Sequence, residues 1–462
     1  MDEKLQKAKQ ILGFDFDLKE EQNEAICAFM EKRDVVCLLP TGFGKSVIFQ
    51  LMPFVVDDDS AVSIIISPLN SIMKDQVKKL CHSGVPACFL DMTGKDGTTY
   101  KMRKTQHDLD SADLSDNDID YRNEGGDDDI DDDGLLHVSI KDVTHGQYKL
   151  IYTHPEAFLS SKEGRKILQC QFFREHLCSI CIDEAHMIHE WGEEFRKDFS
   201  RIQEILGVFP GVPVSLFTAT ASPSTRNKLV KDLALRNPLQ ITKNPDRPNI
   251  KYIRHERLPS VRQEDDLDEI LGGISDSLLE DKRNFPVTII YSDLETIRYG
   301  YRFLESRIGQ GIDSPESRCY AQFHTHYTER MKNWIISDLG KQEPVTRVVL
   351  ATVALGIGLH APSVRKVIHF KSPTNIEQYI QETGRGGRDG KPASAILYWN
   401  KTDVRSNRPG LQNAMKEFCT SKDICLRAQL LSHLDFTPEL QISKCKCCSV
   451  CEQVCKCSEC EE

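Results

Sequence analysis

The sequence has no apolar run approaching the roughly 18 residues that a membrane-spanning helix requires. Its opening stretch, Met1 to Gln10, is charged and reads as the start of a helix rather than as a secretory leader. A soluble, intracellular protein with no membrane partner is expected. An excess of positive charge is also missing: 59 Lys and Arg face 70 Asp and Glu, for a formal net charge of −11. That deficit is local, because thirteen carboxylates fall between Asp108 and Asp133 against the single base Arg122. The rest of the chain is close to neutral, so total charge neither supports nor excludes an acidic polymer as partner, and patches must decide. No strong Lys/Arg-rich import signal and no solenoid repeat are visible. The 17 cysteines, spread through a chain of 462 residues without a leader, argue against a disulfide framework and for reduced thiols and metal ligands.

Short β-rich apolar runs alternate with longer amphipathic stretches, the pattern of parallel α/β domains. Strands are expected at Val35–Leu39, Ser63–Ile66, Lys149–Tyr152, Ser179–Ile182 and Val214–Phe217, then at Val287–Tyr291, Val348–Ala351, Lys366–Phe370 and Ala395–Trp399. Most lack period-two alternation and read as buried on both faces. A Pro-rich segment, Asn244 to Ile250, separates the two sets. The expected organisation is an α/β lobe over 1–243, a linker at 244–250, a second α/β lobe over 251–405, and a helical, cysteine-rich subdomain over 406–462. The acidic stretch, about 105–135, holds Gly125-Gly126 and few large apolar side chains. It cannot bury enough surface to offset its ordering entropy, so a disordered insertion is expected there. Such a run is most simply a solvated loop, and a basic protein partner is the other reading.

The run Val35–Leu39 leads into Pro40-Thr41-Gly42-Phe43-Gly44-Lys45-Ser46 and a helix-compatible segment. This is a P-loop: glycines turn backbone N–H groups toward phosphate, Lys45 neutralises β/γ oxygens, and the Ser46 hydroxyl can join a Mg²⁺ shell. Leu39 stands where the strict pattern has Gly. A second element, Cys178 to His186, places Asp183-Glu184-Ala185-His186 just past a buried strand, where α/β sheets bind ligands. Asp183 is suited to hold Mg²⁺, directly or through water, and Glu184 to orient or deprotonate an attacking water. ATP with Mg²⁺ is the ligand these pieces imply.

Together these motifs resemble superfamily-two helicases, and further segments resemble the RecQ family. Ser67 to Val77, with Ser67 and Gln76, looks like the motif that touches the DNA strand. Tyr148 to Glu156 resembles the segment preceding DEAH, and Phe217 to Ala221 resembles motif III. Val349 to Gly358, with Thr352, looks like motif V, and Tyr379 to Gly390, with Gln381, Arg385 and Arg388, is close to motif VI. The segment His186 to Arg196 resembles the aromatic-rich loop coupling strand contact to hydrolysis, Trp191 and Phe195 offering π-faces for bases and Arg196 a charge.

The resemblance implies two tandem RecA-like parallel-sheet lobes followed by a small helical zinc-binding module. It implies an ATP-dependent 3′–5′ DNA helicase acting on single-stranded and tailed duplex DNA in repair and recombination, in the nucleus if the source is eukaryotic. Phe14, Lys19 and Gln22 fall where the family reads adenine, though Arg is usual at Lys19. Arg385 and Arg388 would reach the γ-phosphate, Arg388 as the arginine finger. Cys425, Cys445, Cys448 and Cys451 match the family's zinc set, four thiolates suiting tetrahedral Zn²⁺. Cys447 crowds that set, and Cys455, Cys457 and Cys460 follow it, offering either a second metal site or an exchange of ligands. Thr325, His326 and His360 depart from the family's patterns near lobe-two DNA contacts. The 462 residues do not include the winged-helix domain usual after the zinc module, so ATPase and translocation are expected before strand separation. A DNA-binding or annealing module and an RNA-directed remodeller remain the other readings.

Overall fold

The computed structural model describes residues 2–68, 70–91, 98–102, 135–188, 201–257, 263–309, 318–356, 361–438 and 442–457. Two compact units are present: residues 1–39, 43–218 and 225–243 form the first, and 40–42, 219–224 and 244–462 the second.

The first unit is built on nine strands: β1 Val35–Leu38, β2 Val62–Ile66, β3 Ala87–Asp91, β4 Thr98–Met102, β5 Leu135–His137, β6 Leu150–Thr153, β7 Leu177–Ile182, β8 Val214–Thr218 and β9 Leu239–Thr242. Their order is β5-β4-β3-β6-β2-β7-β8-β1-β9. The central pairs are parallel, in register from Ile64 opposite Ile180 to Val36 opposite Leu216. β1, β2, β6 and β8 are buried at every position. Helices cover both faces, which is why these strands read as continuous Val/Ile/Leu runs. One face carries Ile64, Ile151, Ile180 and Leu216, and the other carries Phe49, Met52, Phe89 and Phe217. The acidic stretch lies outside the described residues, but its flanks are placed. β4 and β5 pair antiparallel at the sheet edge, Met102 opposite Leu135 and Tyr100 opposite His137.

The second unit carries six parallel strands: β10 Ile250–Glu256, β11 Val287–Tyr291, β12 Tyr320–Phe323, β13 Val348–Ala351, β14 Val364–His369 and β15 Ala393–Trp399, in the order β10-β15-β14-β11-β13-β12. The cysteine-rich tail belongs to this unit's core. Cys447 and Cys448 share a buried cluster with Ile250, Tyr252, Ala395, Trp399, Phe418 and Leu430. Cys448 also bridges Tyr252 on the outer edge of β10. Two parallel-sheet lobes and a small cysteine module are thus the architecture that the sequence implied.

Candidate active site and cysteine module

Strand β1 ends at Leu38, and the chain turns through Gly42 (φ +81°) and Gly44 (φ +94°) into the helix Lys45–Val55. Both conformations lie in the left-handed region open chiefly to glycine. A Cβ on Gly44 would stand 2.7 Å from Gln22 Nε2, so that glycine is also required by contact. Gln22, buried, donates to the carbonyls of Phe43 (3.3 Å) and Gly44 (3.1 Å). Lys19 Nζ donates to the Phe43 carbonyl at 3.1 Å and sits 4.0 Å from the Phe43 ring centre. Two of the three residues expected at adenine, Lys19 and Gln22, thus hold the outside of the phosphate loop. Phe14 packs against the core beside them, its ring 5.3 Å from Phe16. Lys45 Nζ points back along the loop to the Leu39 carbonyl at 3.4 Å.

Asp183 and Glu184 follow β7. Asp183 N donates to the Ile66 carbonyl, and Asp183 Oδ1 accepts from the Glu184 amide at 3.0 Å. Glu184 has φ +49°, a conformation costly for a non-glycine residue and concentrated at functional sites. Burial and then the neighbouring Glu184 charge push the Asp183 carboxyl up to about 6, while Lys45 pulls it down. A buried carboxylate within the reach of the Lys45 charge is a donor suited to a Mg²⁺ ion. His186 is buried, its Nδ1 2.9 Å from Thr218 Oγ1 and 3.6 Å from Glu184 Oε2, so it ties DEAH to motif III.

The expected strand-contacting residues divide. Ser67 is buried at the end of β2, its amide bonded to Thr153 O and its carbonyl to His154 Nδ1 at 2.7 Å, so it anchors the following loop. Gln76 is half-buried, its Oε1 accepting from Gln50 Nε2 at 2.6 Å. Thr352 caps the 3₁₀ turn Val353–Gly356, Oγ1 accepting from Ala354 N. Trp191, Phe195, Arg196, Gly358, His360 and Cys460 lie outside the described residues.

In the second unit, Gln381 is half-buried on the helix Ile376–Thr383, which enters the glycine-rich turn. Arg385 is buried there beside Tyr291, with Nε and Nη1 lacking hydrogen-bond partners among the described residues. Gly387 (φ +58°) has no room for a side chain, since a Cβ would meet Asn249 Nδ2 at 2.4 Å and Lys391 O at 2.5 Å. The supposed linker is the clamp on this turn. Arg247 donates to the carbonyls of Gly384, Gly386 and Gly387, and Asn249 to Gly387 at 2.8 Å. Sequence reasoning missed both residues, although the polar cluster Asn244-Pro-Asp-Arg-Pro-Asn249 was their visible signal.

The cysteine cluster of the structure differs from the expected metal set in one position. The sulfurs that converge within 4.8 Å are those of Cys425, Cys447, Cys448 and Cys451, with Cys447 in place of Cys445. Cys425 and Cys447 Sγ stand 3.6 Å apart, and Cys448 and Cys425 3.9 Å. A tetrahedron with metal–sulfur bonds of about 2.3 Å has edges of about 3.8 Å, so the donors fit zinc. The reason for the exchange is helical phase. Residues two apart on a helix point to opposite sides, so on Lys444–Cys447 only one of Cys445 and Cys447 can face Cys425. Bonds with Cys425 and Cys448, and then burial, push the Cys447 thiol well above its ordinary value, and the buried Arg427 guanidinium beside it only partly opposes them. Bonds from Cys425 and Cys447 hold Cys448 far below the ordinary thiol range. No described cysteine forms a disulfide.

Residues 19–114 match the DEAD/DEAH box helicase family, and residues 269–390 match the helicase conserved C-terminal domain. The ATP-dependent DNA helicase RecQ of Haemophilus influenzae is 28% identical over 96% of this chain and 62% of its own length. ATP-dependent helicase wrn-1 of Caenorhabditis elegans is 28% identical over 93% of this chain and 37% of its own. The chain thus spans about three fifths or less of these relatives. The fold is similar to that of S. cerevisiae Dbp5 bound to RNA and ADP BeF3 (TM-score 0.59, 16% identity, 90% of this chain and 91% of that one). It is also similar to the helicase MrfA bound to DNA and AMPPNP (TM-score 0.58, 16% identity, 87% and 50%). With the P-loop, the DEAH carboxylates and both helicase domains in place, the chain is similar along nearly its whole length to the RecQ-family ATP-dependent DNA helicases.

Proposed function

We propose that the chain is an ATP-driven motor that moves 3′ to 5′ on single-stranded DNA and opens tailed duplexes in repair and recombination. What supports this is a Gly-Lys-Ser loop following β1 and the Asp183-Glu184 pair following β7, with the Lys45 charge acting on the Asp183 carboxyl. Thr41, Gly42 and Gly44 present loop amides to the phosphates, Lys45 neutralises them, and Ser46 with Asp183 holds Mg²⁺. When bound, that ion offsets the charge developing on the transferred phosphoryl group. Glu184 orients the attacking water and accepts its proton. Gln22 and Lys19 fix the loop and read the base edge.

Arg385 and Arg388 supply guanidinium charge to the γ-phosphate, with Gln381 near them on the same stretch of chain. Gln76, Thr352, Trp191, Phe195 and Arg196 touch the strand. Zn²⁺ on the tail thiolates is structural. A basic protein partner for the acidic insertion and a nuclear setting extend the same reading.

The test is steady-state ATPase with and without single-stranded DNA or RNA, on the wild type and Lys45→Ala. Stimulation by DNA that vanishes in the variant supports the motor. A response to RNA alone would support a remodeller, and a flat response a binding module. A 3′-tailed duplex then reads unwinding.

A further inference from the structure

Three cysteines left out of the tetrad meet one another. Cys445 Sγ stands 3.5 Å from Cys457 Sγ, and Cys457 Sγ stands 3.4 Å from Cys455 Sγ. All three sulfurs lie within 4.8 Å. Cys445 is buried, while Cys455 and Cys457 are half-buried. These separations are far above the roughly 2.05 Å of a disulfide. They approach the roughly 3.8 Å edge expected for thiolates sharing a tetrahedral ion. The same helical phase that turns Cys447 toward Cys425 turns Cys445 the other way, toward the residues that follow the helix Ser449–Glu452.

We propose that Cys445, Cys455 and Cys457 form a second thiolate site, separate from the tetrad, for a soft divalent cation of the zinc class. Sulfur donors alone select such an ion over Mg²⁺ or Ca²⁺. Three Sγ–H bonds break on loading, three metal–sulfur bonds form, and the protons pass to solvent. A fourth tetrahedral position stays available to solvent or another donor. The site ties the chain after residue 452 back to the turn that carries Cys447, so two ions share one short helix. The proposal does not depend on the motor reading.

The test is zinc content per chain on residues 1–462, measured after gel filtration by inductively coupled plasma mass spectrometry. The wild type should hold two equivalents and Cys455→Ser/Cys457→Ser one. Cys447→Ser should lose the tetrad ion and keep the second. One equivalent in the wild type, or two in the double variant, overturns the site. A second readout avoids reliance on folded variants: N-ethylmaleimide labelling of Cys455 and Cys457 in the wild type, read by peptide mass. Zinc should slow that labelling about tenfold or more; equal rates with and without zinc overturn the proposal.

Discussion

Arg427 Nη1 donates to Asp246 Oδ1 at 2.5 Å and to the Arg247 carbonyl at 2.9 Å, and the Arg247 guanidinium grips the carbonyls of Gly384, Gly386 and Gly387. A buried residue touching the cysteine tetrad is therefore two hydrogen bonds from the turn bearing Arg385 and Arg388. Arg427→Ala leaves the Asp246 carboxylate enclosed without its counter-charge, a loss of about 3–5 kcal/mol. The denaturant midpoint of the second unit should fall accordingly. A midpoint equal to wild type would show that the pair contributes nothing.

Arg247→Lys keeps the charge but replaces a planar fork by a point donor that cannot span three carbonyls. On the proposed motor reading, turnover should drop about tenfold with KM for ATP little changed. A rise in KM alone would place the role of Arg247 in binding instead.

Gly44→Ala forces a side chain into a left-handed residue and against Gln22 Nε2. Nucleotide binding, followed with a fluorescent ATP analogue, should be lost while the fold persists. Gln22→Ala removes two loop bonds and should weaken ATP about 30-fold, from about 2 kcal/mol. Equal affinity in Gln22→Ala would reduce Gln22 to packing.

Asp338 offers a pH readout. Burial alone would raise its carboxyl, but the Thr346 amide, the Lys341 ammonium and the Val345 amide outweigh it and hold the group below its ordinary value. A lowered folded-state value means stability that is present above the unfolded value and lost as pH falls through the folded one. Asp338→Asn should cost about 1–2 kcal/mol at pH 7, and the gap from wild type should close below about pH 4. A gap that is constant with pH would rule out the charge as its source.

Stripping metal with a chelator should loosen the tail first. Protease cuts between Ser443 and Cys457 should precede cuts in the first unit, and the melting temperature should fall by several degrees. An unchanged cutting pattern would show that the thiols hold the tail without an ion.

What could be read from residues follows from burial. Strands such as Val62–Ile66 are enclosed on both faces and announce themselves as apolar runs. Ile250–Glu256 did not, because as an edge strand it alternates buried and half-buried residues, and its start looked like a linker. Leu135–His137 pairs with Thr98–Met102 across the acidic segment, a pairing no local pattern encodes. The P-loop and DEAH box were legible because the chemistry dictates both residue type and spacing. The cysteine cluster was legible as a group, yet Cys447 stands in it where Cys445 was expected, because spacing along the chain does not report helical phase. Arg247 and Asn249 were hidden by prolines that mark an irregular segment without saying what its polar side chains grip.

The return of the tail to β10 also governs the order in which this half of the molecule can mature. The Arg254 amide bonds Ser449 Oγ across 195 residues, and Tyr252 shares its buried cluster with Cys447 and Cys448. At ribosomal speeds of about 5–20 residues per second, that partner emerges on the order of ten to forty seconds after the strand it covers. Until then the outer edge of β10 stands bare, so the nascent chain spends that interval as a species that chaperones would recognise.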